Sequence, residues 1–145
     1  MPDKPDAEKR ERIRTYGEVF TPPQIVEDMM DMLQENDPDC FAVGRAFLEP
    51  ACGEGVFVLG ILRRKFERCR SRADYSAALA SVWAMDIQPQ NVDSTISLVT
   101  DFCRSYFHPT KADLETITSH YMLADSLKVM RMMNDLNERG GAVNG

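Results

Sequence analysis

Apolar residues recur at helical spacing in several stretches of the chain and gather into short runs between them. Ile25, Val26, Met29 and Leu33 fall on one face of a predicted helix. Thr21 is placed to cap that helix, with Pro22 and Pro23 in the first turn, where a missing N–H costs nothing. The segment Glu35-Asn36-Asp37-Pro38-Asp39-Cys40 breaks it. Arg45-Ala46-Phe47-Leu48 then predicts a first strand, stopped by Glu49-Pro50. A small-residue loop follows, Ala51-Cys52-Gly53-Glu54-Gly55, leading into a second helix with Val58, Leu59, Leu62, Phe66 and Cys69 inward. After a short helical stretch near Tyr75–Ala80, Val82-Trp83-Ala84-Met85 predicts a second strand ending at Asp86. Pro89 opens a further helix with Val92, Ile96, Val99 and Cys103 inward. Tyr121-Met122-Leu123-Ala124 predicts a third strand ending at Asp125, and Leu127–Leu136 is helical, with Met130 and Met133 expected in the core. Strands alternating with helices in this way predict an α/β fold around a parallel sheet.

Composition narrows the class. With 43% hydrophobic and 28% charged residues among 145, the chain is expected to be one ordinary globular domain. No apolar run approaches the roughly 20 residues of a membrane span. The charged N-terminus does not resemble a secretory signal, so a soluble, cytoplasmic protein without membrane contact is expected. The net charge of -6 argues against binding nucleic acid through bulk charge. The bases are concentrated, however, at Arg63, Arg64, Lys65, Arg68, Arg70 and Arg72, and elsewhere acids outnumber bases two to one. That stretch reads as a solvated helix face or, alternatively, a local phosphate or partner contact. Cys40, Cys52, Cys69 and Cys103 lack metal-ligand spacing, so reduced thiols and no metal site are expected.

The chemistry gathers at one edge. In an open parallel sheet, ligands bind beyond the carboxyl ends of the strands. Glu49, Asp86 and Asp125 follow the three predicted strands, and the Gly53/Gly55 loop lies where backbone must approach a ligand closely. A carboxylate at the end of the second strand suits ribose hydroxyls. The loop lacks the Lys-Ser/Thr of a nucleotide-phosphate loop, and Val58 stands where a dinucleotide fingerprint has its third glycine. Glu49 would repel a pyrophosphate but suits a cation. S-adenosylmethionine (SAM), with its sulfonium and α-amino group, fits that electrostatic pattern better than NAD or ATP.

Four segments together carry a resemblance. They are Tyr16-Gly17-Glu18-Val19-Phe20-Thr21-Pro22-Pro23, Phe47-Leu48-Glu49-Pro50-Ala51-Cys52-Gly53-Glu54-Gly55-Val56-Phe57, Ala84-Met85-Asp86-Ile87-Gln88-Pro89, and Leu123-Ala124-Asp125-Ser126-Leu127. In order and spacing this set resembles the adenine-N6 DNA methyltransferases of restriction–modification systems. The resemblance implies a Rossmann-like SAM-dependent methyltransferase fold, here partial, with three parallel strands and helices on both faces. It implies that Thr21 binds the methionine carboxylate, while Glu49, Ala51 and Gly53 line the amino and sulfonium end. Asp86 would take the ribose hydroxyls and Ile87 would pack on adenine. Asp125 would accept from the adenine amino group, with Ser126 beside it. Phe57 is expected to pack the loop against the helix.

The family's Asn/Asp/Ser-Pro-Pro-Tyr/Phe motif, which holds the target amino group and stacks on the flipped base, has no counterpart here. The chain is therefore expected to divide into a polar tail or frayed helix (1–15), a SAM-binding domain (16–139) and a glycine-rich end (140–145). It would serve as the cofactor-binding part of an enzyme methylating adenine in DNA, with catalysis needing a partner or a further segment. Alternatively, it is an inactive SAM-binding protein that regulates or blocks a modification system. Its first strand would be an exposed apolar edge, expected to be covered by a homodimer mate, a partner chain or further sequence. DNA is the family substrate, and binding by this chain alone is expected to be weak.

Overall fold

The computed structural model describes residues 21–144, so the expected tail at 1–15 and the motif residues Tyr16–Phe20 lie outside the described residues. Along the chain run α1 (Pro23–Asn36), β1 (Phe47–Glu49), α2 (Val56–Glu67), α3 (Arg72–Ala80), β2 (Val82–Asp86), α4 (Pro89–Arg104), α5 (Lys111–His120), β3 (Tyr121–Leu123) and α6 (Ser126–Asn144). The three strands form one parallel sheet in the order β1-β2-β3, with Glu49 opposite Ala84 and Asp86 opposite Leu123. The α/β class and the parallel sheet agree with the sequence pattern.

Local chemistry explains most element boundaries. Prolines start α1 and α4. Ser71 caps α3 by accepting from the Asp74 N–H, and Thr110 with Asp113 forms a reciprocal capping box on α5. Thr21 does not cap α1, contrary to expectation. Pro22 is the N-cap residue, and its carbonyl receives Ile25 N–H at 3.1 Å and Val26 N–H at 3.3 Å. The helix α5 was not foreseen, because Leu114 and Ile117 alone give too short an apolar period.

Consecutive parallel neighbours joined by right-handed crossovers put both connections on the same side of the sheet. The helices α2 to α5 accordingly pack on one another and on β2 and β3, with α1 laid against α2. Between them and the sheet, Phe41, Val58, Leu62, Ala78, Val82, Ala84, Val99 and Cys103 are completely buried. Phe66 stacks on Phe102 at 5.4 Å and meets Tyr75 edge-on at 5.1 Å, closing the core at the far end of α2.

Of the four residues expected on the inner face of α1, Val26 is buried, joined by Met30, while Ile25, Met29 and Leu33 are exposed. Met130 and Met133 are not core: they are 53% and 52% exposed on α6, which runs through Gly140 and Gly141. The basic stretch is only partly a solvated face: Arg63, Arg70 and Arg72 are exposed, while Lys65 is buried and most of these cations have partners within the fold. Arg63 and Arg64 pair with Glu27 and Asp31 on α1, and Arg68 donates to Pro38 O. Arg72 pairs with Asp113, and the fully buried Lys65 ammonium donates to the carbonyls of Ala42, Val43 and Arg45. These cations fasten α1 and the loop before β1 to the body of the molecule. Among the described residues no helix is long and apolar enough to cross a membrane.

Candidate functional site

The carboxyl ends of β1 and β2 are joined by the loop from Glu49 to Gly55. The Glu49 carboxylate accepts the Ala51 N–H at 3.2 Å, turning the chain at Pro50. Cys52 N–H donates to Met85 O at 2.9 Å, carrying the β1–β2 ladder one step past the strand. Gly53 (φ +52°) and Gly55 (φ +93°) both occupy the left-handed region that glycine adopts without strain. Their surroundings differ. A Cβ on Gly53 would meet nothing within 4 Å, whereas one on Gly55 would lie 3.0 Å from Thr95 Oγ1. Gly55 is thus needed for close packing of the α2 start on α4, and Gly53 leaves open backbone above the sheet edge.

Asp86 anchors this arrangement. It is 8% exposed, and its Oδ2 accepts the Gly53 N–H at 3.0 Å. Its Oδ1 accepts Gln88 N–H at 2.9 Å and Asn91 Nδ2 at 3.2 Å. One strand-end carboxylate therefore holds both the glycine loop and the first turn of α4. Thr95, also buried, lies with Oγ1 2.9 Å from Asn91 O and 3.3 Å from Gly53 O, supporting the loop from beneath. Asn91 and Thr95 were missed from sequence. Their signal was present: two polar residues four apart on the inward face of α4, alongside Val92 and Val99.

Glu49 closes β1 and is half-buried. Burial pushes its carboxyl above the usual range, with the Ala51 N–H partly offsetting the shift. Burial also raises the Cys52 thiol, only in part countered by its Thr95 contact, which makes it a poor nucleophile. Ile87, just past β2, is 63% exposed, an apolar side chain turned to solvent beside Asp86. Asp125 Oδ1 accepts Leu127 N–H at 3.0 Å, capping α6, and Ser126 is the first residue of that helix. Ala51 is exposed beside Glu49.

These residues are gathered unevenly. Glu49, Ala51, Gly53 and Asp86 are tied directly by hydrogen bonds within the loop and across to β2. Asp125 and Ser126 follow β3, whose last residue pairs with Asp86, so they share the same edge. Thr21 precedes α1 and makes no hydrogen bond among the described residues, so nothing ties it to the loop. A cavity of about 360 Å³ lies beside Glu49, walled by Met29, Met30, Leu33, Phe47, Leu48, Phe57 and Ile61. Its walls do not include Asp86, Ile87, Asp125 or Ser126. Phe57, expected only to pack, therefore also faces this cavity. Among the described residues, no cluster of three or more His, Cys, Asp or Glu side chains could hold a metal ion.

No protein-family model matches the chain, and searches of curated proteins and of solved structures find nothing similar to it.

Proposed function

We propose that the chain is the SAM-binding part of a DNA adenine-N6 methyltransferase, with the groups that hold the target base supplied by another segment or chain. The observation that carries this reading is the glycine loop fastened by Gly53 N–H to Asp86, at the carboxyl edge of three adjacent parallel strands. Each predicted contact has a physical basis. An Asp86 oxygen that already accepts one N–H retains a lone pair for a ribose hydroxyl. Exposed Ile87 offers an apolar seat for adenine, and the second oxygen of Asp125 can accept from its amino group. Desolvated Glu49 gains most from a cationic partner, which favours the sulfonium and ammonium of SAM over a phosphate. Thr21 would reach the methionine carboxylate once a ligand draws the α1 start toward the loop.

Bound SAM would supply an electrophilic methyl group for an adenine amino nitrogen, and Glu49, Asp86, Ile87 and Asp125 would hold and orient that donor. None of them is assigned the amino proton. A second reading, an inactive SAM-binding protein that regulates or blocks a modification system, is favoured by one feature. The sole Pro-Pro pair, Pro22-Pro23, is consumed in starting α1. Equilibrium dialysis with labelled SAM tests both. The chain is expected to retain the label, release it to S-adenosylhomocysteine but not to NAD or ATP, and transfer none to adenine-containing DNA. Displacement by NAD or ATP would overturn the cofactor assignment, and robust transfer by the chain alone would overturn the division of labour.

A further inference from the structure

A carboxylate has about four lone-pair positions, shared between its two oxygens. On Asp86 both positions of Oδ1 are taken, by Gln88 N–H at 2.9 Å and Asn91 Nδ2 at 3.2 Å. Oδ2 accepts Gly53 N–H at 3.0 Å, and among the described residues nothing else donates to it. One acceptor position is left. Its place follows from what surrounds each oxygen. Asn91 is fully buried and Gln88 is 6% exposed, so the Oδ1 side is closed by protein. The Oδ2 side is bordered by Gly53, where an added Cβ would meet nothing within 4 Å. The remaining lone pair therefore belongs to the oxygen that borders open space.

Asn91 makes the carboxylate asymmetric. Its side-chain amide holds Oδ1, while its own carbonyl lies 2.9 Å from Thr95 Oγ1, which in turn reaches Gly53 O at 3.3 Å. Carboxylate and loop are thus kept in one register. A ligand that leaves these bonds in place finds a single acceptor, and a sugar diol, which offers two donors, fills it with one hydroxyl. Admitting the second hydroxyl would exchange one hydrogen bond for another, with no net gain. We propose that Asp86 recognises one sugar hydroxyl only, through Oδ2, with Asn91 as the positioning residue that withholds Oδ1, so that the site tells the two hydroxyls of a ribonucleoside apart. The proposal rests on the reading of Asp86 as a ribose ligand and does not involve the sulfonium end of the cofactor.

Adenosine, 2′-deoxyadenosine and 3′-deoxyadenosine, titrated into the full chain and followed by protein NMR, test it. One deoxy analogue is expected to bind within about twofold of adenosine and the other about tenfold weaker or more, the loss of one hydrogen bond to a charged acceptor. Asn91→Ala frees a position on Oδ1 and lets the carboxylate engage both hydroxyls, so the two analogues should then weaken alike. A merely structural role for Asn91 would weaken every ligand and preserve the gap. Equal weakening of both analogues in the wild type, weakening of neither, no binding of adenosine, or a gap unchanged in Asn91→Ala of native circular dichroism would overturn the proposal. Should that variant not fold, the wild-type series decides alone. SAM titrated alongside separates the two readings. Adenosine selected through one hydroxyl, with SAM unbound, would overturn the cofactor reading alone. SAM bound, with both analogues weakened alike, would overturn this proposal alone.

Discussion

Asp113 shows how one side chain sets a pH limit on this molecule. Burial alone would raise its carboxyl, but Thr110 N–H, the Ser76 hydroxyl and the Arg72 guanidinium outweigh that and hold it at about 2, against 3.8 for an ordinary aspartate. Between those values the unfolded chain binds the extra proton. The contribution to stability is therefore fully present above pH 3.8 and is lost as pH falls toward 2. Asp113→Asn is expected to cost about 2 kcal/mol in urea unfolding at pH 7, with the difference from wild type narrowing steadily below pH 4. A constant difference down to pH 2 would mean that the carboxylate charge is not what stabilises α5. At this scale the sequence was informative where an acid follows a strand, as at Asp86. It was less informative where a polar residue turns inward, as at Asn91 and Thr95, because burial of a hydrogen-bonded amide or hydroxyl leaves no apolar period to read. Arg64 misled for the opposite reason: within a run of bases it looks solvent-facing until Glu27 and Asp31 of α1 are placed beside it.

Gly60 fixes how closely α1 lies on α2. It is the only glycine within α2, and a Cβ there would fall 2.8 Å from Val26 Cγ1. In an exposed helix, alanine in place of glycine stabilises by about 1 kcal/mol. Here the added methyl must push α1 away from its seat, so Gly60→Ala is expected to destabilise by about 1–3 kcal/mol. Thermal melts of the variant decide it: a raised Tm would show that α1 is free to shift. The helix also shows how its inner face was misjudged. The expected face held Ile25, Val26, Met29 and Leu33, but the seam with α2 follows Val26 and Met30, while Met29 and Leu33 line the cavity beside β1. Both stripes are apolar, and periodicity alone does not rank them. For α6 the same rule failed more completely. Leu127, Met130, Met133 and Leu136 form an apolar series that the described residues leave exposed. A helical apolar period shows that a face seeks cover, and the described residues do not cover this one.

At the scale of the whole molecule, the parallel sheet, its β1-β2-β3 order and the glycine loop bring Glu49, Gly53, Asp86 and Asp125 to one edge. The strands were legible because each short apolar run ends at or beside an acid. The packing of the helices on one another was not, because it follows from strand order and crossover handedness rather than from any residue pattern. The proposed SAM site at the loop and Asp86 is tested by calorimetric titration of SAM into the purified chain, alongside Asp86→Ala, with a circular dichroism spectrum of each to confirm folding. The wild type is expected to bind saturably and the folded variant not at all. A wild type that folds and releases no heat with SAM, or a variant that binds as tightly as wild type, would contradict it.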